Sequence, residues 1–260
     1  MTPVRRNRGF LAAAEARALD ALVPLVPRRI TPDMLSALGL AGAVLAGLGF
    51  ALVLRHPAFW FVAILGLLLN WLGDSLDGRL ARHRGAARPC RGYLLDNGLD
   101  MLGFLAVAAG FAASGLVAPA LAFLALALHF ILVNLAAARL AVTGVLDLSA
   151  GPVGTTELRA IFAAGAAVLA FFPAEGLASP RQWLGVAGTP LDIACVAWVL
   201  AMAVTIVRTL RDDLRLGAEH DARAPGAEPP SREEARPFPA ALPVAGGPVG
   251  GVGQLVGRQR

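Results

Sequence analysis

Long stretches without a charged side chain constrain this chain more than any other feature. Met34–Leu54 runs for 21 residues, and Met101–Ala138 for 38 residues, without Asp, Glu, Lys or Arg. About 20 apolar residues in a helix are needed to cross a bilayer. Only 16% of the residues are charged and 57% are apolar, whereas an ordinary soluble domain carries about 25% charged residues. We therefore predict an all-α, polytopic membrane protein rather than a soluble or disordered chain.

Six apolar segments are predicted to form transmembrane helices. Proline, glycine and arginine clusters separate them, and an Arg-rich hinge over Arg79–Arg91 joins the second to the third. An amphipathic helix on the membrane surface is predicted before them, because Phe10, Ala14 and Arg17 recur at helical spacing. The six predicted spans are Met34–Leu54, Ala58 to Asp74 and beyond, Gly92–Ala113, Pro119–Val142, Glu157–Phe172 and Leu191–Leu210.

Composition and charge divide the chain into three predicted parts. Residues 1–30 form a cytoplasmic segment with the juxtamembrane helix, residues 31–216 the six-helix membrane domain, and residues 217–260 a disordered cytoplasmic tail rich in Pro, Gly and Ala. All 23 basic residues are Arg, and most fall on one side of the predicted topology. The positive-inside rule makes that side, with both termini, cytoplasmic. Because the arginines lie between apolar blocks, the net charge of +5 indicates membrane topology, and we expect no nucleic-acid partner.

Four aspartates stand out beside the apolar spans. Asp74 and Asp77 share one helix face, and Asp96 and Asp100 share a face of the next helix. Such carboxylates are costly at membrane depth and are functional by default. Clustered oxygen ligands suit Mg²⁺ or Mn²⁺ better than Zn²⁺. Two such ions would balance four negative charges, and a two-metal site is typical of phosphoryl displacement.

Small residues and an arginine accompany the acids. Gly78 and Ala81 leave space beside the face that carries Asp74 and Asp77. Arg82 follows Gly78 by one helical turn, where a guanidinium can clamp a phosphate. Together these residues predict a nucleotide-pyrophosphate site at the membrane surface.

The segment Asp74–Asp100 resembles the signature of the CDP-alcohol phosphatidyltransferase family, D-x2-D-G-x2-A-R-x8-G-x3-D-x3-D. Nine residues rather than eight separate Arg82 from Gly92. The segment Thr31-Pro32-Asp33-Met34-Leu35-Ser36 is also similar to the family motif TPN-x-[LI]-[TS] that begins the first span, with Asp33 in place of Asn. The resemblance covers about residues 28–215. The eight signature residues present are Asp74, Asp77, Gly78, Ala81, Arg82, Gly92, Asp96 and Asp100.

The resemblance implies an enzyme that transfers a phosphatidyl group from a CDP-linked lipid to the hydroxyl of an alcohol and releases CMP. The expected donor is CDP-diacylglycerol. It implies a homodimer in the inner (plasma) membrane, with the active site open to the cytoplasm. Asp100 would complete the metal site and act as general base. The resemblance implies metal ligation by Asp74, Asp77, Asp96 and Asp100, and CDP contacts from Asp74, Asp77, Gly78, Ala81, Arg82 and Gly92.

The acceptor is not defined by the sequence. Arg159, with Arg139 and Arg91, is predicted to form an anion pocket suited to a phosphorylated alcohol. Three other functions stay open: a CDP-alcohol phosphotransferase that uses a diacylglycerol-type acceptor, an intramembrane prenyltransferase, and a cation transporter with an acidic site.

Overall fold

The computed structural model describes residues 4–6, 12–143, 145–147, 149–150, 153–172, 174–183 and 186–223. Helices dominate these ranges, and a short 3-10 turn, Val23–Leu25, follows the first of them. The α-helices are α1 (Ala12–Leu22), α2 (Pro32–Leu52), α3 (Ala58–His83), α4 (Pro89–Ser114), α5 (Pro119–Thr143), α6 (Thr155–Leu169), α7 (Ala174–Ala178) and α8 (Pro190–Arg223).

The strands of the described residues are two or three residues long and lie outside the helices. They form three two-stranded pairs, of which the first is parallel and the other two are antiparallel. The pairs are β1 (Val4–Arg6) with β2 (Val145–Asp147), β3 (Ser149–Ala150) with β4 (Val153–Gly154), and β5 (Arg181–Trp183) with β6 (Val186–Gly188).

Among the described residues, five helices are long and apolar enough to cross a membrane: α2, α3, α4, α5 and α8. The predicted all-α, polytopic membrane fold is therefore confirmed. The predicted fifth span corresponds to α6, which has 15 residues. That length is about 22 Å, less than the roughly 30 Å hydrocarbon core. The count of six crossings thus stays a prediction.

Helix α2 packs closely against both α3 and α4 through glycines. A Cβ atom on Gly66 of α3 would collide with the backbone of Ala46, and one on Gly110 of α4 would collide with the backbone of Gly47. Small residues allow such close approach between helices in a membrane, where packing replaces the hydrophobic effect. The two acid-bearing helices are therefore held against a common partner.

An apolar cluster holds together the ends of these helices opposite the aspartates. Phe50 stacks on Phe111 with ring centroids 4.2 Å apart, and Trp60 is 1% exposed beside them. Ala166 of α6 belongs to the same cluster. At this end the Thr189 hydroxyl also donates a hydrogen bond to the carbonyl oxygen of Leu116, which fixes the start of α8 near the end of α4.

The other end of the bundle is covered by α1. Leu19 of α1 and Val23 of the following turn are buried against Leu35 of α2 and against Leu76 and Leu80 of α3. The predicted N-terminal helix is thus present, and it packs on α2 and α3. Its position at a membrane surface stays a prediction.

The connection between α3 and α4 is shorter than the predicted hinge. Helix α3 continues to His83 and α4 begins at Pro89, because Arg79–His83 favour helix and Pro is tolerated in a first helical turn. Gly85 turns the chain with a φ of 63°, a left-handed conformation that favours glycine.

The chain divides into two units, residues 1–215 and 216–260. Helix α8 runs to Arg223, well past the predicted end at Leu210, because the residues that follow include several Arg, Leu and Ala, which favour helix. Most of the predicted disordered tail, from residue 224 onward, lies outside the described residues.

Candidate active site

Three of the four predicted acids converge at the end of the bundle that α1 covers. Asp74 lies about two thirds of the way along α3, and Asp96 and Asp100 lie in the first half of α4. One carboxylate oxygen from each of the three lies within 4.8 Å of the others. The close packing of α3 and α4 on α2 brings these acids together from two helices.

Asp77 lines the same cleft but is held differently. Its carboxylate accepts a hydrogen bond from the Ser36 hydroxyl of α2 and another from the backbone N–H of Gly78. Asp77 therefore stands at the edge of the cluster, oriented by α2. The cleft is lined by Ser36, Gly39, Leu40, Asn70, Asp74, Asp77, Asp96, Leu99 and Asp100.

Arg159 reaches into the acid cluster from α6. Its Nη1 lies 2.5 Å from Asp74 Oδ2, and its Nη2 lies 3.5 Å from Asp100 Oδ1. The side chain of Arg159 is 10% exposed. The guanidinium thus bridges the two acid-bearing helices and neutralises part of their charge.

The three arginines of the predicted anion pocket are not brought together. Arg159 binds the acid cluster, whereas Arg91 pairs with Asp33 at 2.9 Å and Arg139 pairs with Asp213 at 2.5 Å. The sequence did not indicate these partners, because each lies 58 or more residues away. Arg159 alone of the three contacts the acid cluster in the described part of the chain.

The two departures from the family motifs, Asp33 and the longer spacer before Gly92, meet in a pair of salt bridges. Asp33, in the first turn of α2, accepts hydrogen bonds from Arg88 Nη2 at 2.7 Å and Arg91 Nη1 at 2.9 Å. Both arginines belong to the spacer that is one residue longer than in the signature. These side chains are 41–57% exposed, and exposed ion pairs contribute little stability. They tie the α3–α4 connection to α2.

The predicted CDP-contacting residues lie beside the acids on α3 and α4. Gly78 has only the Arg82 side chain within 4 Å of a Cβ built on it, at 3.4 Å, and a Cβ on Gly92 would meet nothing. Arg82 is exposed, and Ala81 is partly exposed. Packing within the described chain does not require glycine at position 92, in contrast with Gly66 and Gly110. Open space at Gly78 and Gly92 is what a ligand approaching the backbone needs.

Residues that the sequence analysis did not single out support α3 from behind. Glu15 of α1 accepts hydrogen bonds from Trp71 Nε1 at 2.8 Å and Ser75 Oγ at 3.1 Å, and Asp20 pairs with Arg79 at 2.6 Å. Ser36 occupies the last position of the family-like motif that begins at Thr31, and this match was the sequence signal for it. Glu15 gave no sequence signal, because its partners are 56 and 60 residues away.

The donor set fits a divalent cation. Asp74, Asp96 and Asp100 supply converging carboxylate oxygens, and hard cations such as Mg²⁺ and Mn²⁺ prefer oxygen ligands. The fold and the site together therefore define a polytopic membrane protein with an acidic, metal-type site at one end of its helices.

Comparison with known proteins identifies the family. A family model described as CDP-alcohol phosphatidyltransferase matches residues 29–207, a range that includes the signature and all four acids. The chain belongs to the CDP-alcohol phosphatidyltransferase family, a class of transferases that generally depend on divalent metal. No curated protein matches the chain. Membership favours phosphatidyl transfer from a CDP-alcohol over the prenyltransferase and cation-transporter alternatives.

Proposed function

We propose that the protein transfers a phosphatidyl group from CDP-diacylglycerol to the hydroxyl of an alcohol and releases CMP, as a step of phospholipid biosynthesis. The observation that carries this proposal is the convergence of Asp74, Asp96 and Asp100 within 4.8 Å, inside the segment that matches the family. In this proposal, Asp74, Asp77, Asp96 and Asp100 hold two Mg²⁺ or Mn²⁺ ions.

The bond changes follow from the roles proposed for these residues. Asp100 takes the proton of the acceptor hydroxyl, because a neutral hydroxyl is a poor nucleophile. The acceptor oxygen then forms a bond to the β-phosphorus, and the bond from that phosphorus to the bridging oxygen breaks. CMP departs with the electron pair. Divalent cations bound at the acids supply neutralisation of the pyrophosphate charge.

Asp100 is better placed than Asp74 for the proton transfer. The side chain of Asp100 is 35% exposed and that of Asp74 is 22% exposed. Arg159 also contacts Asp100 at the longer distance, 3.5 Å against 2.5 Å for Asp74. An acceptor hydroxyl thus has easier access to the carboxylate of Asp100.

We place the nucleotide over Gly78, Ala81, Arg82 and Gly92. The open space beside Gly92 and the exposed guanidinium of Arg82 support this placement. A guanidinium binds phosphate oxygens through paired N–H donors. For the acceptor, we propose Arg159 as the binding residue, because it contacts the acids directly. Arg91 and Arg139 would have to leave Asp33 and Asp213 to join it.

The distribution of arginine supports an active site open to the cytoplasm, with both termini on the same side. The inner (plasma) membrane is the location that we propose from the family resemblance. Homodimer formation remains part of the proposal, on the ground of the family resemblance.

The proposal is tested by product identification. Membranes containing the full chain are incubated with labelled CDP-diacylglycerol and a panel of alcohols, with Mg²⁺, with Mn²⁺, or with a chelator. We expect metal-dependent CMP release and a labelled phospholipid with one acceptor. Turnover only with a soluble CDP-alcohol and diacylglycerol would establish the alternative phosphotransferase. No cytidine-dependent turnover with any pair would contradict the proposal.

A further inference from the structure

Arg159 places a positive charge in the acid cluster. Its guanidinium contacts Asp74 and Asp100, from α3 and α4, while its own backbone belongs to α6. The side chain is largely buried, at 10% exposure. A buried guanidinium without carboxylate partners is strongly unfavourable, and so are buried carboxylates without a cation. The guanidinium and the two carboxylates therefore stabilise one another.

Asp74 and Asp100 are also two of the three acids whose oxygens converge. A carboxylate that gives its lone pairs to a guanidinium has fewer available for a metal ion. Arg159 and a divalent cation consequently draw on the same two side chains. Asp96, the third acid, has no ion pair with Arg159 among the described contacts.

We propose that Arg159 is a built-in counter-cation that competes with divalent metal for Asp74 and Asp100 and so sets the metal affinity of the site. The inference rests on the proposed metal site and gives Arg159 a role in setting its affinity. Metal loading at Asp74 and Asp100 requires the guanidinium to give up part of its contacts. The metal affinity of the native chain is therefore lower than its four carboxylates alone would produce.

A competing cation and a supporting residue have opposite effects when they are removed. If Arg159 competes, replacing it by a neutral side chain tightens metal binding. If Arg159 instead orients the carboxylates for the metal, as supporting residues do, its removal weakens metal binding. The sign of the change decides between the two roles, and no turnover measurement is needed.

The experiment measures Mn²⁺ binding to the full chain in lipid nanodiscs, by the loss of the free Mn²⁺ signal in electron paramagnetic resonance, without CDP-lipid. We expect Arg159→Gln to bind Mn²⁺ about 5-fold or more tightly than the native chain, the lower end of typical coupling between two ligands. Arg139→Gln is the matched control, because it removes the same charge from another partly buried ion pair, the one with Asp213. We expect the Mn²⁺ affinity of this control to stay native.

Arg159→Lys keeps the protein measurable if the neutral variant fails to fold. A lysine retains the charge but lacks the fork that reaches two carboxylates at once, so we expect tighter Mn²⁺ binding than in the native chain. Mn²⁺ affinity that is unchanged or weaker in the folded Arg159 variants would overturn the inference. Because no donor or acceptor is present, that result would leave the proposed transfer reaction standing. If the native chain released no CMP, the proposed reaction would be contradicted. The competition between Arg159 and Mn²⁺ could still be measured.

Discussion

The Ser36 hydroxyl on α2 donates a hydrogen bond to the carboxylate of Asp77 on α3. The same hydroxyl lies 3.2 Å from the carbonyl oxygen of Pro32, but a carboxylate is the stronger acceptor. One helix thus fixes the direction in which an acid of the neighbouring helix points. Residues that orient metal ligands typically contribute 10–100-fold to metal affinity or activity.

We therefore expect Ser36→Ala to lower metal-dependent CMP release by about tenfold without unfolding the protein. Ser36→Thr keeps a hydroxyl at this position and should restore most of the activity. CMP release is measured in membranes at a fixed, limiting Mg²⁺ concentration. Equal activity of the native chain and Ser36→Ala would show that the hydrogen bond from Ser36 is not needed to orient Asp77.

A second prediction concerns the packing of α2 on α3. A methyl group added at Gly66 collides with the Ala46 backbone, so Gly66→Ala should destabilise the fold by about 1–3 kcal/mol, as overpacking does. The midpoint of thermal unfolding in detergent measures the change. Gly165→Ala is the matched control, because a Cβ at Gly165 meets nothing within 4 Å. There the higher helix propensity of Ala should leave stability equal or slightly raised. A midpoint for Gly66→Ala as high as that of the control would contradict the packing.

Helical spacing predicted part of the acid cluster. Asp74 with Asp77 and Asp96 with Asp100 were paired by their positions alone, and the structure brings three of these four carboxylates together. The apolar segments likewise predicted the membrane fold, since their length matches a bilayer. Both are local properties, readable within one or two helices.

Contacts between distant segments were not predictable in the same way. Arg159 meets Asp74 across 85 residues, and its predicted companions Arg91 and Arg139 find other carboxylates instead. A single sequence carries no signal for which arginine enters which ion pair, because the partners belong to different helices and lie far apart along the chain. The length of the connection between α3 and α4 was also overestimated. Its arginines suggested a loop, but Arg is a good helix former.

A third prediction tests the nucleotide position at Gly92. A Cβ there meets open space, so Gly92→Val should leave the unfolding midpoint close to native. If the CDP moiety occupies that space, the KM for CDP-diacylglycerol should rise about tenfold, the effect of losing 1.4 kcal/mol. Gly98→Val is the control, because Gly98 is also exposed with open space around it and lies about 200° farther around α4 than Asp96. A native KM in Gly92→Val would place the nucleotide elsewhere.

The last prediction separates the proposed base from the other acids. Asp100→Asn keeps an oxygen ligand but cannot take a proton, and loss of a general base typically costs about 10²–10⁴-fold in rate. Asp96→Asn removes a charge from the converging acids without removing the base. We therefore expect CMP release by Asp96→Asn to recover substantially at saturating Mn²⁺, whereas Asp100→Asn stays at least about 100-fold below the native rate. CMP release is followed as a function of Mn²⁺ concentration for both variants and the native chain. Recovery of Asp100→Asn in parallel with Asp96→Asn would mean that Asp100 serves the metal site alone and that another group deprotonates the alcohol.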